Sequence, residues 1–374
     1  MKVALVHDWL NGMRGGEKVL EVLIDLFPEA DLYTLFYEPE KVSERIRQRQ
    51  PRASVLQRFP LSQRLYRYLL PLYPWAIERF DMTIYDLVIS SSHCAAKGVA
   101  VVDEQVHICY CHAPMRYIWD QYEAYFGGSR RWRPAAVLMR LFRKRLRRWD
   151  VAAAGRVDEF IANSSTVAER IKRYYGRDAA VVHPPVDTGF FRPLGGESKD
   201  FFLVVSALVP YKRIDLAVRA FTAMNRPLLV IGRGPERQRL EKMAGPSIRF
   251  FGWVDEDELV RLYNNCRALV FPGEEDFGIT SLEAQACGRP VIALRRGGVV
   301  ESVREGRDGL FFNEPTVEAL TDAVGRFDRM VFDRGVIRAH AERFGGDRCR
   351  EELNETIQRV LKKHGFETAP AKAV

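Results

Sequence analysis

A chain of 374 residues with 47% apolar and 28% charged residues has the composition of a soluble globular protein and the length for two domains. Its net charge of +8 and pI near 9.2 favour anionic partners such as phosphates, nucleic acid or acidic lipid, without choosing among them. No apolar run approaches the roughly 18 residues of a membrane span, and the short run before His7 is below the length of a secretory signal core.

The six cysteines include no Cys-x-x-Cys pair, and Cys109, Cys111 and His112 are too few and too close for a zinc site. Free thiols in a reducing cytoplasm are expected. Val3–Val6 is a short apolar run, expected as a buried parallel strand. The turn GMRGGEK (12–18) follows, and Lys18–Phe27 has helical spacing, with Val19, Leu20, Leu23, Ile24 and Phe27 apolar. Strand, glycine-rich turn and helix open a Rossmann-like domain, and ligands bind at such a turn. Gly15 and Gly16 would let a ligand approach the backbone closely; a simple turn is the alternative. Neither a Gly-x-Gly-x-x-Gly fingerprint nor a P-loop is present.

Residues 51–80 set Arg58, Arg64, Arg67 and Arg79 among Phe59, Tyr66, Tyr73 and Trp75 without a clean period. Arginine with aromatics suits nucleic acid, but no RRM, KH or helix-turn-helix pattern accompanies them, so no nucleic-acid partner is expected. An acceptor- or lipid-facing region and a plain amphipathic surface both fit. YDLVISSSHCAAKGV (85–99) reads as a strand ending in a serine-rich loop, and HICYCHAPMRYIWD (107–120) as a strand ending at His112. His93 and His112 thus stand at strand ends, although a lone histidine is more often a satisfied structural residue. From Pro134, the residues Ala135, Leu138, Met139, Phe142, Leu146 and Trp149 form an apolar stripe opposite Arg140, Arg143, Lys144, Arg147 and Arg148. That is either a helix lying on anionic lipid or a core helix with a wet cationic face. DEFIANSSTVAERIKRYYG (158–176) reads as strand, Ser164 or Ser165 cap, and helix. The proline-rich 181–193 breaks the pattern and puts an interdomain link at about 190–199.

FFLVVSALVPYKRIDLAVRAF (201–221) restarts the strand–turn–helix grammar, with Lys212 and Arg213 placed to face a diphosphate leaving group. Residues 227–241 add a strand and the turn Gly232-x-Gly234. FPGEEDFGITSLEAQACGRPVIAL (271–294) then reads as a strand end, a loop, a helix from about Ile279, a Gly288–Pro290 stop and a buried strand. The start of that helix, through Phe277, Gly278, Ile279 and Thr280, offers unpaired N–H groups and a positive dipole end to phosphate. Glu275 and Glu283 bracket it, and carboxylates beside a phosphate site suit sugar or ribose hydroxyls. The whole has the pattern of a site for a sugar joined to a phosphate; a solvated loop glutamate and a helix-face glutamate are the bland alternative. GGVVESVREGRDGLFF (297–312) carries a glycine turn, Glu301 and an expected hairpin at Asp308-Gly309, and 346–363 reads as a closing helix.

Glu275-Asp276-Phe277-Gly278, Glu283 and the following Ala-x-Ala-x-Gly-x-Pro-Val-Ile resemble the signature of the retaining glycosyltransferases of family 4, with the likeness running over roughly residues 1–360. The resemblance implies the α/β GT-B fold, two Rossmann-like domains facing a cleft. They are expected as an acceptor-side domain at 1–195, a nucleotide-sugar domain at 196–345, and a crossover helix and tail at 346–374 packing back on the first. It implies that Glu275 contacts the transferred sugar, Glu283 the ribose, and Gly252-Trp253-Val254 the nucleobase. It also implies that the Gly15-Gly16 turn lies near donor phosphate and acceptor, and His112 near the reacting sugar. Where the family has Gly-Arg-Leu this chain has Ser206-Ala207-Leu208, so an arginine is missing; Lys212 is kept and Arg213 is the candidate to compensate. Met115-Arg116-Tyr117-Ile118-Trp119-Asp120 narrows the likeness to mannosyltransferases that build bacterial surface polysaccharides.

The expected function is transfer of a hexose, mannose from GDP-mannose, to a carbohydrate or polyprenyl-linked saccharide acceptor with retained configuration. No cofactor or metal is expected, since amides and cations take that place, and the protein is expected in the cytoplasm, against the anionic inner face of the membrane. The rivals are a UDP- or ADP-sugar donor, a glycoside hydrolase using both glutamates, and a non-catalytic nucleotide-sugar-binding protein, at which Ala207 hints. The hydrolase is disfavoured because Glu283, on the second helical turn, points toward a nucleotide rather than a water.

Overall fold

The short Val/Ile/Leu runs of the sequence pair into two sheets in which every ladder is parallel, as the computed structural model describes for residues 1–59, 66–127, 134–196 and 198–366. Strands covered on both faces need continuous apolar runs rather than alternation. β1 (Val3–His7), β4 (Leu87–Ser92) and β5 (Val106–Cys111) are buried throughout, with consecutive apolar residues at Val3–Val6 and Leu87–Ile89. The first sheet adds β2 (Asp31–Thr34), β3 (Arg52–Ala53), β6 (Glu159–Ala162) and β7 (Ala179–Val181), in the order β3-β2-β1-β4-β5-β6-β7. The second comprises β8 (Phe202–Val205), β9 (Leu228–Ile231), β10 (Ile248–Phe251), β11 (Leu269–Phe271), β12 (Val291–Leu294) and β13 (Gly309–Phe312), in the order β10-β9-β8-β11-β12-β13. The winding reverses between β1 and β4 in one sheet and between β8 and β11 in the other. Ligands of doubly wound sheets bind outside the carboxyl ends at such a reversal.

Each sheet belongs to its own unit: residues 1–185 with the segment from Asp347, and residues 186–346. The units part at Pro185/Val186, upstream of the 195/196 boundary expected from the proline-rich link. Val186 and Phe191 are already core residues of the second unit, and the Val186 N–H donates to Phe344 O at 2.9 Å.

In the first unit, α1 (Gly15–Leu26) lays Val19, Leu20, Leu23 and Ile24 on the sheet. The apolar stripe of α2 (Pro134–Gly155) faces the same unit's core: Ala136, Met139 and Leu146 are buried, and Phe142 and Trp149 pack against that core. Arg143 and Arg147 both donate from Nε to Ile118 O, at 3.2 and 2.8 Å. Their guanidiniums lie over the Tyr122 and Trp119 rings, 3.7 and 4.5 Å from the centroids. Of the two readings of the stripe, the packing is that of the core helix: its apolar side is spent on the core and two of its cations are tied down. Among the described side chains, α2 leaves exposed Arg140, Leu141, Lys144, Arg145 and Arg148 on this face, with Val151 and Ala152 near its end. A buried ion pair between Lys97 and Asp150 fastens α2 to the turn after β4.

The unit ends with the helix Gly346–Lys363, whose Cys349, Leu353, Ile357, Val360 and Leu361 share a core with β1 and α1. The C-terminal helix thus packs on the first domain, as the resemblance implies. In the second unit the hairpin expected at Asp308-Gly309 is absent. Gly309 opens β13 in parallel register with Val291 of β12, where a Cβ would collide with Val291 O. Asp308 is buried and accepts from the N–H and Nε of Arg304. All six cysteines are buried and free. No described helix is long and apolar enough to cross a membrane.

Candidate active site

In the second unit the reversal point lies between the turn after β8 and the loop after β11. A Cβ on Gly273 would run into the Lys212 backbone, so glycine is what lets these segments approach so closely. Above that contact the Lys212 ammonium and the Glu275 carboxylate form an ion pair, with side chains 14% and 20% exposed. Two residues expected to act separately, one on phosphate and one on sugar, therefore hold each other.

The Glu275 backbone is fixed from the other side. Gly298 N–H donates to Glu275 O at 2.9 Å, and Gly297, at φ 75°, bridges to Glu275, leaving no room for a side chain. The loop then turns into the helix Ile279–Ala286 through Gly278 at φ 88°, with Ile279 and Thr280 half-buried in its first turn. Ser281 Oγ donates to Gly278 O at 2.7 Å. The first amides of such a helix have no intrahelical acceptor.

Glu283, on the next turn, accepts a hydrogen bond from Tyr263 OH at 2.8 Å. Burial, then the Glu283 charge, pushes the Tyr263 phenol well up, so it stays a donor. Tyr263 is a residue that sequence reasoning misses, since its position in the helix Glu256–Asn265 is that of any core residue.

The other candidate residues of this unit differ in burial and partners. Phe277 is 4% exposed and packs in the core near Phe344, so only its backbone can meet a ligand. Arg213, at φ 52°, turns its Nε to Asp215 at 3.3 Å rather than joining Lys212. Trp253 is 68% exposed just past β10, and the neighbouring Gly252 lies against the Arg233 and Arg237 guanidiniums.

In the first unit the reversal point gathers three histidines at strand ends. His7, His93 and His112 have ring centroids 6.3, 6.4 and 6.4 Å apart. His7 Nδ1 lies 3.1 Å from Ser91 Oγ, and Ser91 Oγ lies 2.8 Å from His112 Nε2. His7 Nε2 faces Glu17 Oε1 at 3.9 Å, and Glu17 Oε2 accepts the Arg14 N–H that opens α1. Gly16 sits over this group, where a Cβ would be 3.4 Å from His112 Nε2, and Gly15 begins the helix beside it.

An isolated buried carboxylate costs several kcal/mol, roughly, unless it is hydrogen-bonded. Asp8, fully buried, meets that demand with the N–H groups of His93, Cys94, Ala95 and Ala96 at 2.5 to 2.9 Å, and with His93 Nδ1 at 3.1 Å. Burial works to raise its carboxyl, but the His93 and His7 rings and the loop amides outweigh it, so Asp8 stays below the usual carboxylate range. Burial, with the neighbouring rings and Arg116, holds His112 well below an ordinary histidine. His112 is thus neutral and 9% exposed, with one nitrogen already on Ser91. Among the described residues no cluster of His, Cys, Asp or Glu is arranged to hold a metal ion.

Two family models match the chain. The model described as Glycosyltransferase Family 4 matches residues 14–190, and the one described as Glycosyl transferases group 1 matches residues 187–328. A D-inositol 3-phosphate glycosyltransferase of Streptomyces bingchenggensis (strain BCW-1) is 32% identical over 52% of this chain and 51% of its own length. A GDP-mannose-dependent alpha-(1-6)-phosphatidylinositol monomannoside mannosyltransferase of Mycolicibacterium smegmatis is 30% identical over 44% of this chain and 53% of its own. The chain thus spans about half the length of the curated relatives it matches. Among solved structures, HepE of Anabaena in complex with UDP-glucose has a TM-score of 0.69 at 16% identity, covering 96% of this chain and 100% of that one, a likeness of fold.

Proposed function

This chain belongs to the glycosyltransferases of family 4 and has the GT-B fold, and from that premise we propose that it transfers a hexose from a nucleoside-diphosphate sugar to a hydroxyl acceptor with retained configuration. The observation that carries the reading is the Lys212–Glu275 pair at the second sheet's reversal point, beside a helix N-terminus and the Tyr263-held Glu283. The reaction breaks the bond from the sugar C1 to the diphosphate and forms one from C1 to the acceptor oxygen, with the acceptor's proton passing to the diphosphate. Charge develops on the departing diphosphate. Lys212 and the first amides of Ile279–Ala286 are the groups that stabilise it, and fixed donors of this kind supply most of the rate. Once Lys212 turns to phosphate, Glu275 is released to accept from sugar hydroxyls. Glu283, oriented by Tyr263, accepts from the ribose, and Trp253 offers a face to the base. No metal or cofactor enters this scheme.

For the donor we propose GDP-mannose, on the likeness of Met115–Asp120 to surface-polysaccharide mannosyltransferases and on the printed name of the M. smegmatis relative. For the acceptor we propose a carbohydrate or lipid-linked saccharide. An inositol-bearing acceptor is the second reading, favoured by the names of both relatives. Contact with anionic lipid, where it occurs, falls to the exposed Arg140, Lys144, Arg145 and Arg148. The test is incubation with GDP-mannose, UDP-glucose and ADP-glucose against a panel of saccharide and inositol acceptors. Transfer from GDP-mannose is expected. Binding of sugar nucleotides without turnover on any acceptor would instead make this a non-catalytic binding protein.

A further inference from the structure

Asp8 is satisfied by four backbone N–H groups before His93's ring is considered. Bracing β1 against the turn after β4 therefore does not need an imidazole. The ring nevertheless sets Nδ1 3.1 Å from the Asp8 carboxylate, which fixes Nδ1 as the protonated nitrogen and leaves Nε2 as a lone-pair acceptor. Among the described residues no hydrogen-bond partner meets Nε2, and His93's side chain is 22% exposed, while the neighbouring His7 and His112 are 1% and 9% exposed.

We infer that His93 Nε2 accepts a hydrogen bond from a hydroxyl of the sugar acceptor, with Asp8 as its positioning residue. The inference rests on the proposed transferase activity. A neutral lone pair repels phosphate oxygens and attracts a donor, so the ligand it selects is a hydroxyl group rather than an anion. The ring's surroundings keep it neutral. Burial lowers its pKa to about 4, Asp8 and Glu17 act to raise it, and His7 and Arg116 act to lower it; His112 stands alongside.

The test uses the full chain and the best acceptor found for the wild type. An asparagine amide reproduces Nδ1 but not Nε2, whereas a glutamine reaches the Nε2 position. His93→Asn should lower kcat/KM for the acceptor by about tenfold, the scale of one hydrogen bond, with donor KM and Tm unchanged. His93→Gln should return to within about threefold of wild type. Asp8→Asn sets an amide against four N–H groups and is expected to unfold the turn, so the His93 pair carries the test. Equal acceptor kinetics in wild type and His93→Asn, or losses confined to donor KM, would overturn this inference while leaving the transferase reading standing. A wild type that transfers to no acceptor overturns both.

Discussion

Lys212 and Glu275 pair with each other, which gives their substitutions opposite signs in binding. Glu275→Ala frees the ammonium and should tighten free GDP a few-fold, whereas Lys212→Ala should weaken it by about tenfold or more. Isothermal titration with GDP reads both, and weaker GDP binding by Glu275→Ala would mean that the pair is not a competitor of phosphate. Tyr263→Phe removes the hydroxyl that orients Glu283. It should weaken the donor by about 3- to 10-fold in a KM measurement and leave the acceptor KM unchanged. The Glu275–Glu283 spacing stands out in the sequence because its flanking residues form a motif. Tyr263, His7, Asp8 and Ser91 do not, because each is spaced like an ordinary core or strand-end residue. His7 and Ser91 meet only when strands 84 residues apart in sequence pair in the β1–β4 register, and Tyr263 reaches Glu283 from the helix before it. Arg213 is turned aside for a local reason, since Asp215, two residues on, takes its guanidinium.

At the scale of elements, α2 separates two kinds of cation that the sequence groups together. Arg143 and Arg147 each give Ile118 O a charged hydrogen bond, worth about 1.5–3 kcal/mol, and cover an aromatic ring. Arg143→Glu with Arg147→Glu should therefore lower Tm by several degrees. Arg140→Glu, Lys144→Glu and Arg148→Glu lie on the exposed face and should leave Tm unchanged. If anionic lipid is a partner, the same three should abolish flotation with anionic vesicles, each basic residue contributing about 1 kcal/mol. A melting curve unmoved by the first pair would contradict the packing of α2. Periodicity reveals this helix and its stripe, but not what covers the stripe, because core and lipid demand the same residues. Asp308-Gly309 misleads in a related way. A hairpin turn and a strand start pressed against Val291 both require a glycine.

For the whole molecule, strand–turn–helix repeats make both Rossmann-like sheets readable, and a four-residue hydrophobic spacing makes the last helix readable. The unit boundary is less so, since a proline-rich segment looks the same as a linker or as chain packed on a core. The buried histidines set an acid limit. His93 and His107 are pushed down to about 4, chiefly by burial, and His112 well below its ordinary value. Unfolded, each binds its proton near pH 6.5, so between that pH and about 4 the unfolded chain holds more protons and stability rises with pH. Asp8, depressed when folded, adds a loss of stability at still lower pH. Tm should hold above pH 7 and fall steadily as pH drops from about 6.5 toward 4. A flat profile would mean that the three histidines are not buried neutral. The central claim is that Glu275 serves a retaining sugar transfer, and proton NMR of the product formed from GDP-α-mannose, with the rate of Glu275→Ala beside it, tests that most directly. The account predicts an α-linked product and a kcat lowered about 10²–10³-fold in the variant, with GDP still bound; a β-linked product, or transfer by Glu275→Ala at the wild-type rate, would contradict it.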